Sequence, residues 1–423
     1  MRTLPDPLPI EPLRAPPDTS VTVPGSKSIT NRALVCAALA GGDSELSGAL
    51  FADDTRVMIE SLRRLGFDLT ADEGGAALAV HGSGGAVRAT SANLDAGLSG
   101  TTARFVAPLA ALGSGRYRID GAPPLRARPV ADLVTALRSL GATVTEEGDP
   151  GRLPLVVSGP LRGGRARLAG DVTSQFVSAL LLAGPAMTGG LRVELTTPLV
   201  SQPYVAMTAA VMAAFGASVD GLSVPSGRYH GRRYAIEPDA SAASYFLAAA
   251  AICGGRVRIE GLGHRSLQGD ARFVDLLERM GAAVERADSA LTVTGTGVVH
   301  GIEADLRDMP DMAQTLAVVA VFADAPTRVS GVGFIRGHET DRIAAVVAEL
   351  RRCGIDARDE PDGFVVQPGQ PRAAVIQTYD DHRMAMSFAL LGLRVPGIAI
   401  SDPGCVAKTF PGYWDALAGL RRG

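Results

Sequence analysis

One motif recurs along the chain and limits what it can fold into: the apolar end of a helix, a glycine, then residues suited to a strand. It reads Leu62-Arg-Arg-Leu-Gly66-Phe-Asp-Leu, Leu137-Arg-Ser-Leu-Gly141-Ala-Thr-Val, Met212-Ala-Ala-Phe-Gly216-Ala-Ser-Val, Leu277-Glu-Arg-Met-Gly281-Ala-Ala-Val and Leu350-Arg-Arg-Cys-Gly354-Ile-Asp-Ala. The glycines are 75, 75, 65 and 73 residues apart, and a further step of 69 reaches Gly423. Glycine there suits a left-handed helix C-cap, and the residues after it suit a strand. The period is too long for a solenoid, so each copy is a small α/β unit and the chain holds six. The sixth copy lacks the strand after its glycine. Ser20-Val-Thr-Val23 alternates as a strand should and is expected to supply it. Three copies then form a domain over residues 25–236, and the other three join residues 1–24 to residues 237–423. Chain crossings near 24–25 and 237–238 are expected to act as a double hinge over a cleft.

Lysine is scarce. Of 41 basic residues only Lys27 and Lys408 are lysines. Arginine does not release its proton in a protein, whereas an ammonium is a compact charge whose pKa moves readily. Two retained lysines therefore point to proton handling or a tight single-point contact. Lys27 stands in Val23-Pro-Gly-Ser-Lys27-Ser28-Ile-Thr-Asn-Arg32, where a tight turn, a helix start, two cations and hydroxyls converge as an anion site. It is not a Walker A loop, which needs a different glycine spacing.

Bulk properties exclude several classes. An apolar content of 46% with 20% charged residues belongs to a soluble globular chain. A formal charge of −3 gives no electrostatic case for nucleic acid. No window approaches 18 uninterrupted apolar residues, so no membrane partner is expected. The proline-rich first twenty residues, with Asp6 and Glu11, do not read as a signal peptide. Cys36, Cys253, Cys353 and Cys405 are scattered without a C-x-x-C pair, which suits free thiols and a cytoplasmic location.

Further motifs carry chemistry. Asp53-Asp54-Thr55 reads as a helix cap. Leu98-Ser-Gly100-Thr-Thr-Ala-Arg104 opens a helix with small residues that leave N–H groups open to a ligand. Pro123-Pro-Leu-Arg-Ala-Arg128-Pro129 places two arginines on what should be an extended stretch, for a phosphate or for solvent. Thr173-Ser174-Gln175 aligns three hydrogen-bonding side chains before an apolar run, and Ser201 precedes another. Asp311 opens a helix, where it serves as a cap or as an acid–base group. Gly337-His338-Glu339-Thr-Asp-Arg342 and Tyr379-Asp-Asp381-His382-Arg383 each mix carboxylate, imidazole and guanidinium; the first lacks the second histidine of a zinc motif, and a metal at Asp381 and His382 is the minor alternative for the second. With Lys408, Arg342 and Arg383 are expected to form a cationic pocket in the second domain, facing Lys27, Arg32 and Arg128 in the first.

Taken in order, Gly-Ser-Lys27-Ser28-xxx-Arg32, Asp239-Ala-Ser-Ala-Ala-Ser-Tyr245-Phe, Glu339-Thr-Asp-Arg342, Asp381-His-Arg383-Met-Ala-Met and Ala407-Lys408-Thr-Phe-Pro resemble the 5-enolpyruvylshikimate-3-phosphate synthase family. The likeness spans nearly the whole chain. It implies a two-domain α/β enolpyruvyl-transferase fold, each domain three βαβαββ units around a pseudo-threefold as an inside-out barrel. It also implies a monomer with no metal and no organic cofactor, transferring the enolpyruvyl group of phosphoenolpyruvate to shikimate 3-phosphate. By the same resemblance Lys27, Ser28, Arg32, Thr173, Ser174, Gln175, Ser201, Asp311 and His338 bind shikimate 3-phosphate. Lys27, Gly100, Arg128, Gln175, Arg342, Arg383 and Lys408 bind phosphoenolpyruvate. Asp311 is the implied base, and Glu339, Lys408 and Lys27 are the implied proton carriers. The chain departs from the family at His338 and Gln202, where relatives carry lysine, at Leu98-Ser99 in place of Asn-Ala, and at Thr173 in place of serine. A sister family acting on UDP-N-acetylglucosamine prefers Lys-Asn in the first motif and uses a loop cysteine, neither of which is present.

Overall fold

In the computed structural model, which describes residues 4–421, Gly66, Gly141, Gly216, Gly281 and Gly354 all take left-handed φ values, from 80° to 104°. Each ends a helix, where a Cβ would be strained. Four lead into a strand; after Gly216 only an isolated Asp220–Ser223 bridge forms. Gly423 lies outside the described residues. The chain divides into two compact units, Gly25–Glu237 and Met1–Pro24 with Pro238–Gly423. The boundary thus falls one residue beyond the expected 236. Among the described residues no helix is long and apolar enough to cross a membrane.

Within Gly25–Glu237 the repeats share one sheet plan, in which the first strand is parallel to the second, and the fourth lies between second and third, antiparallel to both. Strands Ser91–Asp95, Arg116–Asp120, Leu155–Ser158 and Thr143–Glu146 follow it in full. The first repeat takes its opening strand from the unit's far end, with Arg233–Ala235 parallel to Gly41–Ser47. That pairing closes the unit on itself. Three inner helices, α1 (Lys27–Leu39), α2 (Gly100–Ala110) and α3 (Ser174–Ala183), are buried almost all round and rich in alanine and leucine. Helices of this kind cannot stand in water and define the core. Leu180, fully buried on α3, would cost about 2–5 kcal/mol if cut to alanine.

The other unit repeats the plan with inner helices α4 (Ala240–Cys253), α5 (Ala313–Ala320) and α6 (His382–Gly392). Here the structure corrects the expected strand exchange. The alternating N-terminal segment, Asp18–Val21, is the opening strand of the fourth repeat, parallel to Gly255–Glu260 with Thr19 opposite Val257. In the sixth repeat the slot antiparallel to the second strand, Ile398–Ile400, is filled by Leu8–Pro9, which is the fourth-strand place of the plan and not the one after the glycine. Proline has no N–H to donate, and Leu8–Pro9 sits at an edge of its sheet where none is needed.

Candidate active site

In Gly25–Glu237 the inner helices begin at the residues singled out in the sequence. Ser26 caps α1 by accepting from the Ile29 N–H at 3.4 Å, so Lys27 is the first helical residue. The Lys27 side chain is 15% exposed, and its Nζ lies 3.0 Å from Oδ2 of Asp54, itself 4% exposed. Asp54 does not cap the next helix as its position in the sequence suggests. Thr55 takes that place, its Oγ1 accepting from the Ala52 N–H at 3.0 Å, and Asp54 serves as counter-ion to Lys27. Ser28 gives its carbonyl to Arg32 Nη1 at 2.9 Å. Arg32 also donates from Nε to Thr208 at 2.7 Å and from Nη2 to Ser178 at 3.3 Å and the Tyr204 carbonyl at 3.2 Å. Four of its five N–H groups are thus committed inside the unit, which leaves one Nη1 hydrogen for an anion. Burial lowers the Arg32 pKa to about 10.

Ser99 caps α2, and Gly100 is its first residue. A Cβ at Gly100 would lie 3.1 Å from Arg128 Nη1 and 3.2 Å from Arg104 Nη1. Glycine there lets two guanidinium groups meet at a helix N-terminus, an arrangement suited to an anion. The extended stretch expected before Arg128 is not extended. Pro123–Arg126 is one helical turn with proline in its first positions, where the missing N–H does no harm. Arg126 turns to Asp120 at the surface, while Arg128 is buried. On α3, Thr173 is the cap, Ser174 the first residue, and Gln175 Oε1 accepts from Arg104 Nη1 at 2.6 Å. Ser201, buried before Gln202–Ala214, holds a left-handed φ of 54°. Among these residues the cations Lys27, Arg32, Arg104 and Arg128 outnumber the one carboxylate, Asp54, which pairs with Lys27.

In the other unit Asp381 caps α6 by accepting from the Arg383 N–H at 2.9 Å. Its two oxygens also take Arg342 Nε and Nη2 at 2.8 and 3.3 Å, with side-chain exposures of 0% and 2%. A doubly bonded buried pair fixes the guanidinium plane, which matters more than any net stability it adds. Asp341 caps Arg342–Arg352 and sets where Arg342 leaves the helix. The other edge of Arg342 reaches Asp311 Oδ1 and Glu339 Oε2, each at 2.9 Å, and His338 Nδ1 at 3.2 Å. Burial opposes the Arg342 charge, but Asp381, Glu339 and Asp311 outweigh it and raise its pKa. Arg383 Nη2 holds Asp311 Oδ2 at 2.6 Å, and its Nη1 donates to the buried Tyr245 hydroxyl at 3.3 Å. Burial pushes that phenol up to about 12. Lys408 ends the short helix Pro403–Lys408 and places Nζ 2.9 Å from Glu339 Oε1.

The cap positions here are Met309 and Met312, and the Asp311 carboxylate bridges two arginines. The expected cationic pocket is corrected too: Arg342, Arg383 and Lys408 are matched by Asp311, Glu339 and Asp381. Sequence reading missed Asp54, Arg104, Tyr245 and Asp381 as members of these networks. Their partners lie 27, 71, 138 and 39 positions away, beyond any local motif.

The family model for EPSP synthase (3-phosphoshikimate 1-carboxyvinyltransferase) matches residues 14–417. A 3-phosphoshikimate 1-carboxyvinyltransferase of Nostoc punctiforme is 47% identical over 416 residues, covering 97% of this chain and 98% of the relative. One from Methanosphaerula palustris is 42% identical over 411 residues, covering 95% and 97%. The solved EPSP synthase of Acinetobacter baumannii superposes with a TM-score of 0.81 at 26% identity, covering 97% of each chain. Two residue networks at inner-helix starts and a likeness over nearly the full length agree, and the chain belongs to the EPSP synthase (3-phosphoshikimate 1-carboxyvinyltransferase) family.

Proposed function

We propose that the chain transfers the enolpyruvyl group of phosphoenolpyruvate to the 5-hydroxyl of shikimate 3-phosphate and releases phosphate, the carboxyvinyl transfer of the shikimate pathway. The observation that carries the mechanism is the pair of contacts around Asp311 and Glu339: one carboxylate shared by two arginines, the other 2.9 Å from a scarce lysine. Arg342 and Arg383 set where the Asp311 carboxylate stands, and a carboxylate so placed can accept a proton. In the addition step the 5-hydroxyl oxygen bonds to C2 of phosphoenolpyruvate, and its proton passes to Asp311. The C3 methylene gains a proton from the Lys408–Glu339 pair or from Lys27, giving a tetrahedral phosphate-bearing intermediate. In the elimination step that methyl group returns a proton, the C2–O bond to phosphate breaks, and the vinyl ether forms.

In this reading Lys27, Ser28, Arg32, Thr173, Ser174, Gln175, Ser201, Asp311 and His338 hold shikimate 3-phosphate. Lys27, Gly100, Arg128, Gln175, Arg342, Arg383 and Lys408 hold phosphoenolpyruvate. Arginine forks around Gly100 suit phosphate, and the Arg342–Arg383 pair suits a carboxylate or phosphate. Pro24–Gly25 and Glu237–Pro238 are the proposed hinge. The proposed working form is a cytoplasmic monomer. Of its large exposed apolar residues among those described, Leu4, Leu267 and Val298 stand apart along the chain and only Val375 and Tyr379 share a segment, which suits that form. A coupled phosphate-release assay with both substrates tests the reaction, and no release at saturation would overturn it.

A further inference from the structure

The turn that delivers Asp381 to Arg342 is strained and tied down elsewhere. Tyr379 and Asp380 both have left-handed backbones, φ 56° and 55°, and the Asp381 N–H closes the turn on the Thr378 carbonyl at 2.9 Å. These are φ values of a type I′ turn, which favours glycine, asparagine and aspartate and disfavours a tyrosine. Something outside the turn must hold it.

That anchor is Glu349. It sits seven residues, two helical turns, beyond Arg342 on the same helix, and its side chain has no exposed surface. Glu349 Oε1 accepts from the Tyr379 hydroxyl at 2.7 Å, and Oε2 accepts from the Gln377 N–H at 3.0 Å and Arg352 Nε at 2.8 Å. Burial, with Glu349 beside it, raises the Tyr379 phenol above its ordinary range, so it stays a donor. One helix therefore grips residues 377–381 twice, through Glu349 at one end and Arg342 at the other.

We infer that Glu349 and Tyr379 are positioning residues of this enzyme: their hydrogen bond holds the Thr378–Asp381 turn in register, so that Asp381 fixes the Arg342 guanidinium for its anionic substrate. The inference rests on the reading that Arg342 and Arg383 bind phosphoenolpyruvate. Neither residue is among those placed on substrate, and Asp311 and Glu339 keep their other partners, Arg383 and Lys408, so the effect is read first in the phosphoenolpyruvate KM.

The test is steady-state kinetics on the full chain with Tyr379→Phe and, separately, Glu349→Gln, beside thermal unfolding of each. The KM for phosphoenolpyruvate should rise about tenfold, the scale of one hydrogen bond to a charged group. The kcat and the KM for shikimate 3-phosphate should stay within about twofold. A phosphoenolpyruvate KM unmoved in both variants overturns the inference, as does a parallel loss in all three constants that tracks a lowered Tm. A wild-type chain without turnover would instead overturn the substrate reading itself.

Discussion

Replacing Asp381 with asparagine separates charge from shape at the most deeply buried ion pair of the site. The side chain keeps its size and keeps an oxygen for the Arg383 N–H, so the helix cap survives. What goes is a charge 2.8 Å from an arginine that is 2% exposed. Removing one partner of a buried pair costs about 3–5 kcal/mol when the other is left alone. Arg342 is not left alone, because Asp311 and Glu339 remain at 2.9 Å. The expected loss is therefore below that range, about 2–3 kcal/mol. For a unit of this size that lowers Tm by roughly 4–12 °C. Asp381→Ala removes the cap as well and should cost about 1 kcal/mol more. Calorimetry reads the stability, and phosphate release reads the KM for phosphoenolpyruvate, which should rise at least about tenfold. An asparagine variant melting within about 1 °C of wild type, with an unchanged KM, would refute the claim that this pair orders the site.

Lys27→Arg keeps the charge beside Asp54 but not a transferable proton, and it should lose most turnover while still folding; near-normal kcat would remove proton handling from Lys27. Gly100→Ala brings a methyl group to 3.1 Å from Arg128, so the guanidinium must shift by a few tenths of an ångström, and the KM for phosphoenolpyruvate should rise with Tm unchanged. Burial, with Asp380 and Asp6 nearby, raises the Asp402 carboxyl above the usual aspartate range. Its contribution to stability is present below the unfolded-state pKa and is lost as pH rises through the higher folded one. Asp402→Asn should therefore raise Tm near neutral pH and change little below about pH 4, as pH-dependent melting will read. Burial lifts Cys36, Cys253 and Cys405 to about 12 and Cys353 to about 11, so a thiol reagent at about pH 8 should react slowly until denaturant is added.

Much of the backbone plan was legible along the chain. Left-handed glycines after apolar helix ends and continuous apolar runs for inner helices are local signals, because φ preferences and apolar patterning act within a few residues. Which strand fills which slot was not. Residues 20–23 read as the one N-terminal strand, Leu8–Pro9 carries no strand signal, and only packing against Gly255–Glu260 and Ile398–Ile400 decides that Asp18–Val21 and Leu8–Pro9 both pair.

The same division runs through the site. Composition and motif order sufficed to single out Lys27, Arg342, Arg383 and Lys408 as candidate site cations and to point to the family. Their counter-ions were decided by the tertiary structure: Asp54 for Lys27, Glu339 for Lys408, and Asp311 shared between two arginines. A helix start can be read from a few neighbouring residues, but a charge chooses its partner across tens of positions, according to which helix ends the core brings together.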